Sequence, residues 1–211
     1  FLDNRPVDYD QLSYDKLAVS ILYNHEFSID KGHPTAYVMP LYPAFLSLVY
    51  FLFGHNYIYV KIAQALLGSL TGLIVYFIAK ETFSRPVALW SLFFMWISFF
   101  FIMHGILLLS ENLFIIFVAL SVLFLVKLYK KPSYMNSVLF GLTCSLATLT
   151  RSAYFFFPFM AAAFLFLKRD FINITRLKLL KLCAVMIICF IFPVAIWTAR
   201  NFVIFKSFVP L

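Results

Sequence analysis

Residues 57–79 of the chain read YIYVKIAQALLGSLTGLIVYFIA, with Lys61 as the only charged side chain. A helix needs roughly 20 predominantly apolar residues to cross the hydrocarbon core of a bilayer. This stretch therefore predicts a transmembrane helix, which Lys80 closes at its carboxyl end.

The composition of the whole chain agrees with this prediction. Of its 211 residues, 64% are hydrophobic and only 12% are charged, whereas about 25% of the residues of a soluble domain are charged. Too little polar surface is left to cover a water-soluble globule, so the sequence predicts an integral membrane protein. The net charge of +8 does not indicate nucleic acid binding, because eight of the 17 Lys and Arg residues lie in two short loops between apolar runs.

Further apolar runs predict the remaining architecture, an all-α polytopic bundle with about six spans. These runs cover residues 87–103, 113–126, 138–149, 154–167 and 182–197. Cytoplasmic loops of membrane proteins carry an excess of Lys and Arg. The basic segments 127–135 and 168–181 are therefore predicted to be cytoplasmic, and the acidic amino-terminal segment to face outward.

Residues 1–56 are predicted to form the first outer loop, and residues 57–211 the helical bundle. Within the loop, the spacing of Tyr14, Leu17, Ala18, Ile21 and Leu22 predicts an amphipathic helix lying along the membrane surface. Asp8 and Asp10 lie at its start, facing the positive end of the helix dipole, and Asp15 is expected to be solvated. The chain is expected to be incomplete at both ends, with one more span before Phe1.

Several outward residues are candidates for chemistry. Asp10 with Tyr14 and the Pro-Leu-Tyr-Pro turn containing Tyr42 come from the first loop. Glu111 lies beside an apolar run, where an ionisable group is a functional candidate. A second interpretation makes Ser110 and Glu111 a helix cap.

Two arginines are candidates for binding a phosphate group. The guanidinium of Arg151 suits either pairing with Glu111 or binding a phosphate, and its alternative role is to snorkel to the lipid headgroups. Arg200 follows Trp197, an interface anchor, so headgroup contact is its alternative. The outward histidines His33, His55 and His104 could hold a divalent ion together with carboxylates. Their spacing is not that of a metal motif, so the sequence does not decide the question.

The order of several short motifs resembles glycosyltransferase family 39-like enzymes of the GT-C membrane fold. These include dolichyl-phosphate-mannose protein mannosyltransferases and bacterial aminoarabinose lipid A transferases. The matching motifs are Asp10-x-x-x-Tyr14, Pro40-Leu41-Tyr42-Pro43, Gln64-Ala65-Leu66-Leu67-Gly68, Ser110-Glu111-Asn112, Leu149-Thr150-Arg151 and Trp197-x-x-Arg200-Asn201.

The resemblance implies transfer of a sugar, with inversion, from a polyprenyl-phosphate donor to a lipid, glycan or protein acceptor. It implies that Asp10 is the catalytic base, that Arg151 and Arg200 neutralise the phosphate, and that Tyr14, Tyr42 and Glu111 bind substrate. Many relatives have two adjacent acids where this chain has Asp10-Gln11, so Asp8 is the candidate second carboxylate. This departure leaves any need for a divalent metal ion undecided.

The resemblance further implies an active site on the outer face of a membrane, with the bacterial plasma membrane favoured, and membrane lipids as surroundings. Two alternatives remain at this point. One is a transporter or flippase of a lipid-linked substrate, and the other is a non-catalytic membrane protein that keeps the GT-C fold. A substitution of Asp10 would affect the enzyme and leave the non-catalytic protein intact.

Overall fold

The computed structural model describes residues 9–169 and 174–210. In these residues the chain is helical apart from one short hairpin, which confirms the all-α prediction. The helices are α1 Tyr9–Asn24, α2 Leu41–Phe53, α3 Tyr57–Thr82, α4 Arg85–Trp96, α5 Phe99–Ile106, α6 Glu111–Lys130, α7 Tyr134–Thr150, a 3-10 turn Ser152–Tyr154, α8 Phe157–Leu167 and α9 Arg176–Phe205. The hairpin pairs β1 Ser28–Asp30 with β2 His33–Pro34.

Within the described residues, three helices are long and apolar enough to cross a membrane, namely α3, α6 and α9. α3 and α9 carry large exposed apolar side chains, among them Leu66, Phe77 and Phe192. Exposed apolar surface on this scale marks a region that is covered by lipid or by another protein. The chain is therefore an integral membrane protein.

The single span predicted over residues 87–103 is wrong, because two helices cover this region. α4 ends at Trp96, and α5 begins at Phe99. Neither Pro nor Gly marks this break in the sequence. Trp96 packs beside the backbone of Gly72, and its indole nitrogen donates to the Ser69 carbonyl at 3.4 Å, so a contact with α3 holds the chain at the break.

Two groups of buried side chains hold the bundle together. Phe140 of α7 packs with Met186 and Phe190 of α9 in the larger group. Gly141 allows α7 and α9 to approach closely, since a Cβ atom at this position would lie 2.3 Å from the Met186 carbonyl oxygen. The smaller group joins α1 and α2 to α3, with Tyr42 and Leu46 fully buried in it.

The two ends of the bundle differ in what they carry. At one end, Lys130 of α6 donates to the Glu81 carbonyl oxygen and pairs with the Glu81 carboxylate at 3.4 Å. The opposite end carries α1, the hairpin, the α5–α6 connection and the segment after α7. The predicted site residues Asp10, Tyr14, Glu111 and Arg151 come from this second end.

Candidate functional site

The position of α1 is set by its buried residues. Leu17 and Ala18 are fully buried, as the apolar periodicity predicts, and the Tyr14 ring packs edge-on against Tyr42 with centroids 4.8 Å apart. Asp10 lies in the first turn of α1 and is exposed. The helix therefore presents Asp10 to solvent and Tyr14 to the bundle.

The α5–α6 connection binds α1 through two contacts. The Leu108 N–H donates to Gln11 Oε1 at 3.2 Å, and the Tyr14 hydroxyl hydrogen-bonds the Ser110 side chain. Ser110 precedes α6 but makes no side-chain capping bond to it. Ser110 therefore occupies the predicted N-cap position, with Glu111 in the first turn of α6, but its hydroxyl bonds α1 and not the helix that it precedes.

Arg151 and Glu111 form an ion pair, with Arg151 Nη1 2.6 Å from Glu111 Oε1. This confirms one of the two partners predicted for Arg151. The Glu111 side chain is 20% exposed and that of Arg151 is 46% exposed. Nearly half of the Arg151 side chain is thus free of protein cover, so an anionic group can reach it.

The charges of Asp10, Glu111 and Arg151 all act on the Tyr14 hydroxyl. Burial raises the pKa of Tyr14 above its usual value of 10.0, the bond to Ser110 opposes the rise, and the negative charges of Asp10 and Glu111 add to it. The Arg151 charge acts in the opposite direction. The Tyr14 phenol consequently keeps its proton at neutral pH. Arg151 pairs with Glu111, so Asp10 is the exposed carboxylate that Arg151 does not engage.

Two buried polar atoms in this part of the structure lack a hydrogen-bond partner within residues 9–169 and 174–210. They are Gln11 Nε2, a donor, and Glu111 Oε2, an acceptor. Buried polar atoms are nearly always hydrogen-bonded to protein or to ordered water. We refer to Asp10, Gln11, Tyr14, Glu111 and Arg151 as the outer cluster.

An open apolar groove of about 720 Å³ begins at the residue after Arg151. Ser152, Phe155 and Phe156 line one side of it, and Ile191 and Val194 of α9 line the other. The groove therefore begins next to Arg151 in the chain, and its walls suit a hydrocarbon chain.

Tyr42 is fully buried, and its hydroxyl donates to Gln64 Oε1 at 2.6 Å. A side chain without exposed surface has no face left for a substrate, so the structure disagrees with direct substrate binding by Tyr42. The residue instead supports the ring of Tyr14.

Arg200 is held by a different part of the chain. Its guanidinium donates to the carbonyl oxygens of Thr35 at 2.9 Å and Phe27 at 3.2 Å, and lies 4.9 Å from the centre of the Trp197 ring. These contacts join α9 to the hairpin region. A structural role accounts for Arg200, whereas its predicted role at the phosphate stays untested.

The expectation that Asp15 is solvated is wrong. The residue is buried, and its Oδ1 accepts from the Tyr50 hydroxyl at 2.7 Å and lies 2.8 Å from His55 Nε2. Helical periodicity placed it on the polar face, but its partners come from 35 and 40 positions further along the chain. Asp8 lies outside the described residues.

A protein-held metal centre receives no support from the described donors. No three His, Cys, Asp or Glu side chains in residues 9–169 and 174–210 are grouped so as to hold an ion. His55 is engaged by Asp15, and Glu111 by Arg151. These residues do not fit a metal site.

The sequence model of the family described as dolichyl-phosphate-mannose-protein mannosyltransferase matches residues 32–197. The chain belongs to this family. Its members are membrane glycosyltransferases of the GT-C type. The matched region contains Glu111 and Arg151 and lies between Asp10 on one side and Arg200 on the other. No curated protein and no solved structure matches the chain.

Proposed function

We propose that this protein transfers one sugar from a polyprenyl-phosphate donor to a hydroxyl group of a lipid, glycan or protein acceptor. The observation that carries the proposal is the outer cluster, in which an exposed carboxylate, a protonated phenol and a partly exposed arginine side chain come together. An apolar groove begins at Ser152, the next residue in the chain after Arg151. Family membership supports sugar transfer in general. The donor class, the acceptor class and the side of the membrane are part of this proposal.

In the proposed reaction, Asp10 accepts the proton of the acceptor hydroxyl as its oxygen attacks the anomeric carbon of the sugar. The bond between that carbon and the phosphate oxygen breaks, and its electron pair leaves with the polyprenyl phosphate. A single displacement of this kind inverts the anomeric carbon. General-base help of this sort is worth about 10²–10⁴-fold in rate.

Arg151 is the proposed partner of the donor phosphate. The leaving phosphate needs its negative charge stabilised, and a planar guanidinium suits phosphate oxygens. Glu111 holds Arg151 at 2.6 Å, so we assign Glu111 an orienting role. The polyprenyl chain would lie in the groove lined by Phe155 and Phe156. We place the site on the outer face of a bacterial plasma membrane.

The test is a transfer assay on the protein in membranes, with a labelled polyprenyl-phosphate mannose and other labelled sugars. We expect release of free polyprenyl phosphate and a roughly 10²–10³-fold loss of turnover in Arg151→Met, the usual cost of removing one group that stabilises transition-state charge. Lys127→Met, which alters a lysine at the opposite end of α6, is the matched control and should retain full turnover.

Because Arg151→Met also strips Glu111 of its partner, the double variant with Glu111→Gln separates the two effects. Turnover restored in the double variant would reduce Arg151 to a partner of Glu111. Movement of the intact labelled lipid across the membrane, without cleavage of the sugar–phosphate bond, would contradict sugar transfer and indicate a flippase.

A further inference from the structure

Gln64 is a fully buried amide in the second turn of α3. Its Oε1 accepts from the Tyr42 hydroxyl at 2.6 Å, and its Nε2 donates to the carbonyl oxygens of Leu107 at 2.6 Å and His104 at 3.0 Å. The amide therefore uses its acceptor and its donors at once. It makes all of these bonds to segments 22 to 43 positions away in the chain.

The segments that Gln64 joins are those that hold the outer cluster. On one side, Tyr42 supports the ring of Tyr14. On the other side, Leu107 precedes Leu108, whose N–H binds Gln11, and the same connection leads to Ser110 and Glu111. One side chain thus bridges the segment that packs on the α1 part of the cluster and the segment that leads to its α6 part.

We propose that Gln64 is a positioning residue for the transfer reaction. None of these hydrogen bonds reaches a member of the outer cluster, so Gln64 acts through Tyr42 and the α5–α6 connection. An amide inside an apolar span is costly unless its hydrogen bonds are made, and here they are made to the two segments that must be aligned. This inference rests on the proposed function.

Two substitutions and one control test it in the membrane transfer assay. Gln64→Leu removes every hydrogen bond, and we expect kcat to fall roughly 10- to 100-fold with the KM for the donor nearly unchanged, as misplacement of about 1 Å costs up to that much. Gln64→Glu is the conservative variant. A carboxyl group buried at this position favours its protonated form, which accepts from Tyr42 and donates to Leu107, so it should recover most of the lost turnover.

The control is Thr71→Val. Thr71 is buried in the same helix, and its hydroxyl bonds the Leu67 carbonyl of α3 itself. This variant loses a buried hydrogen bond without releasing either segment, so its kcat should match that of the wild type.

Hydrogen exchange gives a readout that does not depend on turnover. We expect the amide hydrogens of residues 107–110 to exchange at least about tenfold faster in Gln64→Leu than in Thr71→Val, because the Leu108 N–H would lose its fixed bond to Gln11. Unchanged exchange, or equal kcat in Gln64→Leu and the wild type, would overturn the inference while leaving the proposed function intact. Absence of any sugar transfer by the wild type would overturn the proposed function and this inference with it.

Discussion

α7 and α9 approach each other closely at Gly141, and replacement of this residue by alanine tests the described packing. The added Cβ would lie 2.3 Å from the Met186 carbonyl oxygen, 2.9 Å from Cys189 Cβ and 3.1 Å from the Phe190 backbone nitrogen. Two of these three neighbours are backbone atoms, so no rotamer change relieves the clash. The helices must separate by several tenths of an ångström or more.

The free energy of unfolding should fall accordingly. Overpacking of a tight core costs typically about 1–3 kcal/mol, and the higher helix propensity of alanine returns about 1 kcal/mol. Because two of the clashing neighbours are backbone atoms, the overpacking cost should lie in the upper part of this range, about 2–3 kcal/mol. The net loss expected for Gly141→Ala is therefore about 1–2 kcal/mol. Gly68→Ala is the matched control, since no atom lies within 4 Å of its added Cβ, and the propensity term alone should stabilise it by up to about 1 kcal/mol.

The assay is denaturant-induced unfolding of the purified protein in detergent micelles, with both variants beside the wild type. Gly141→Ala should unfold earlier and Gly68→Ala slightly later. Since α7 ends just before Arg151, Gly141→Ala should also lower sugar transfer. Equal stability of Gly141→Ala and the wild type would refute the close approach of α7 and α9.

Three further outcomes are expected. Asp15→Asn should lower the free energy of unfolding by about 1–3 kcal/mol, because it disturbs a buried hydrogen-bonded group, whereas Asp10→Asn should leave it unchanged; unfolding in detergent compares the two. Arg200→Ala should destabilise the protein without changing the KM for the donor, and a raised KM would return Arg200 to the phosphate site. Tyr14→Phe loses the bond to Ser110 and should reduce turnover about 3- to 10-fold, given that one neutral hydrogen bond is worth about 1 kcal/mol; full turnover would exclude the phenol from the site.

Local patterns in the sequence predict much of this fold. The apolar period of residues 14–22 predicts α1, and Leu17 and Ala18 are buried as that period requires. The interruption of an apolar region by Arg151 predicts two helices in place of one, and α7 and α8 confirm it. Charge alone made Glu111 a candidate partner of Arg151, and the ion pair confirms that choice.

The features that were missed depend on partners far away in the chain. The buried carboxylate of Asp15 is hydrogen-bonded by Tyr50 and His55. The helical period of α1 carries no information about either partner. Tyr42 is withdrawn from substrate because Gln64 binds its hydroxyl. Polar residues inside apolar helices were the available signal for Gln64, but such a signal does not reveal which segments the amide joins.

The most direct test of the central claim is the turnover of Asp10→Asn against wild type, with a labelled polyprenyl-phosphate sugar in membranes. The substitution keeps the size of an exposed side chain and removes the proton acceptor. The proposed mechanism predicts a loss of about 10²–10⁴-fold in turnover, with the donor still bound. Equal turnover in the two proteins would contradict Asp10 as the base and, with it, the account of the outer cluster as the catalytic site.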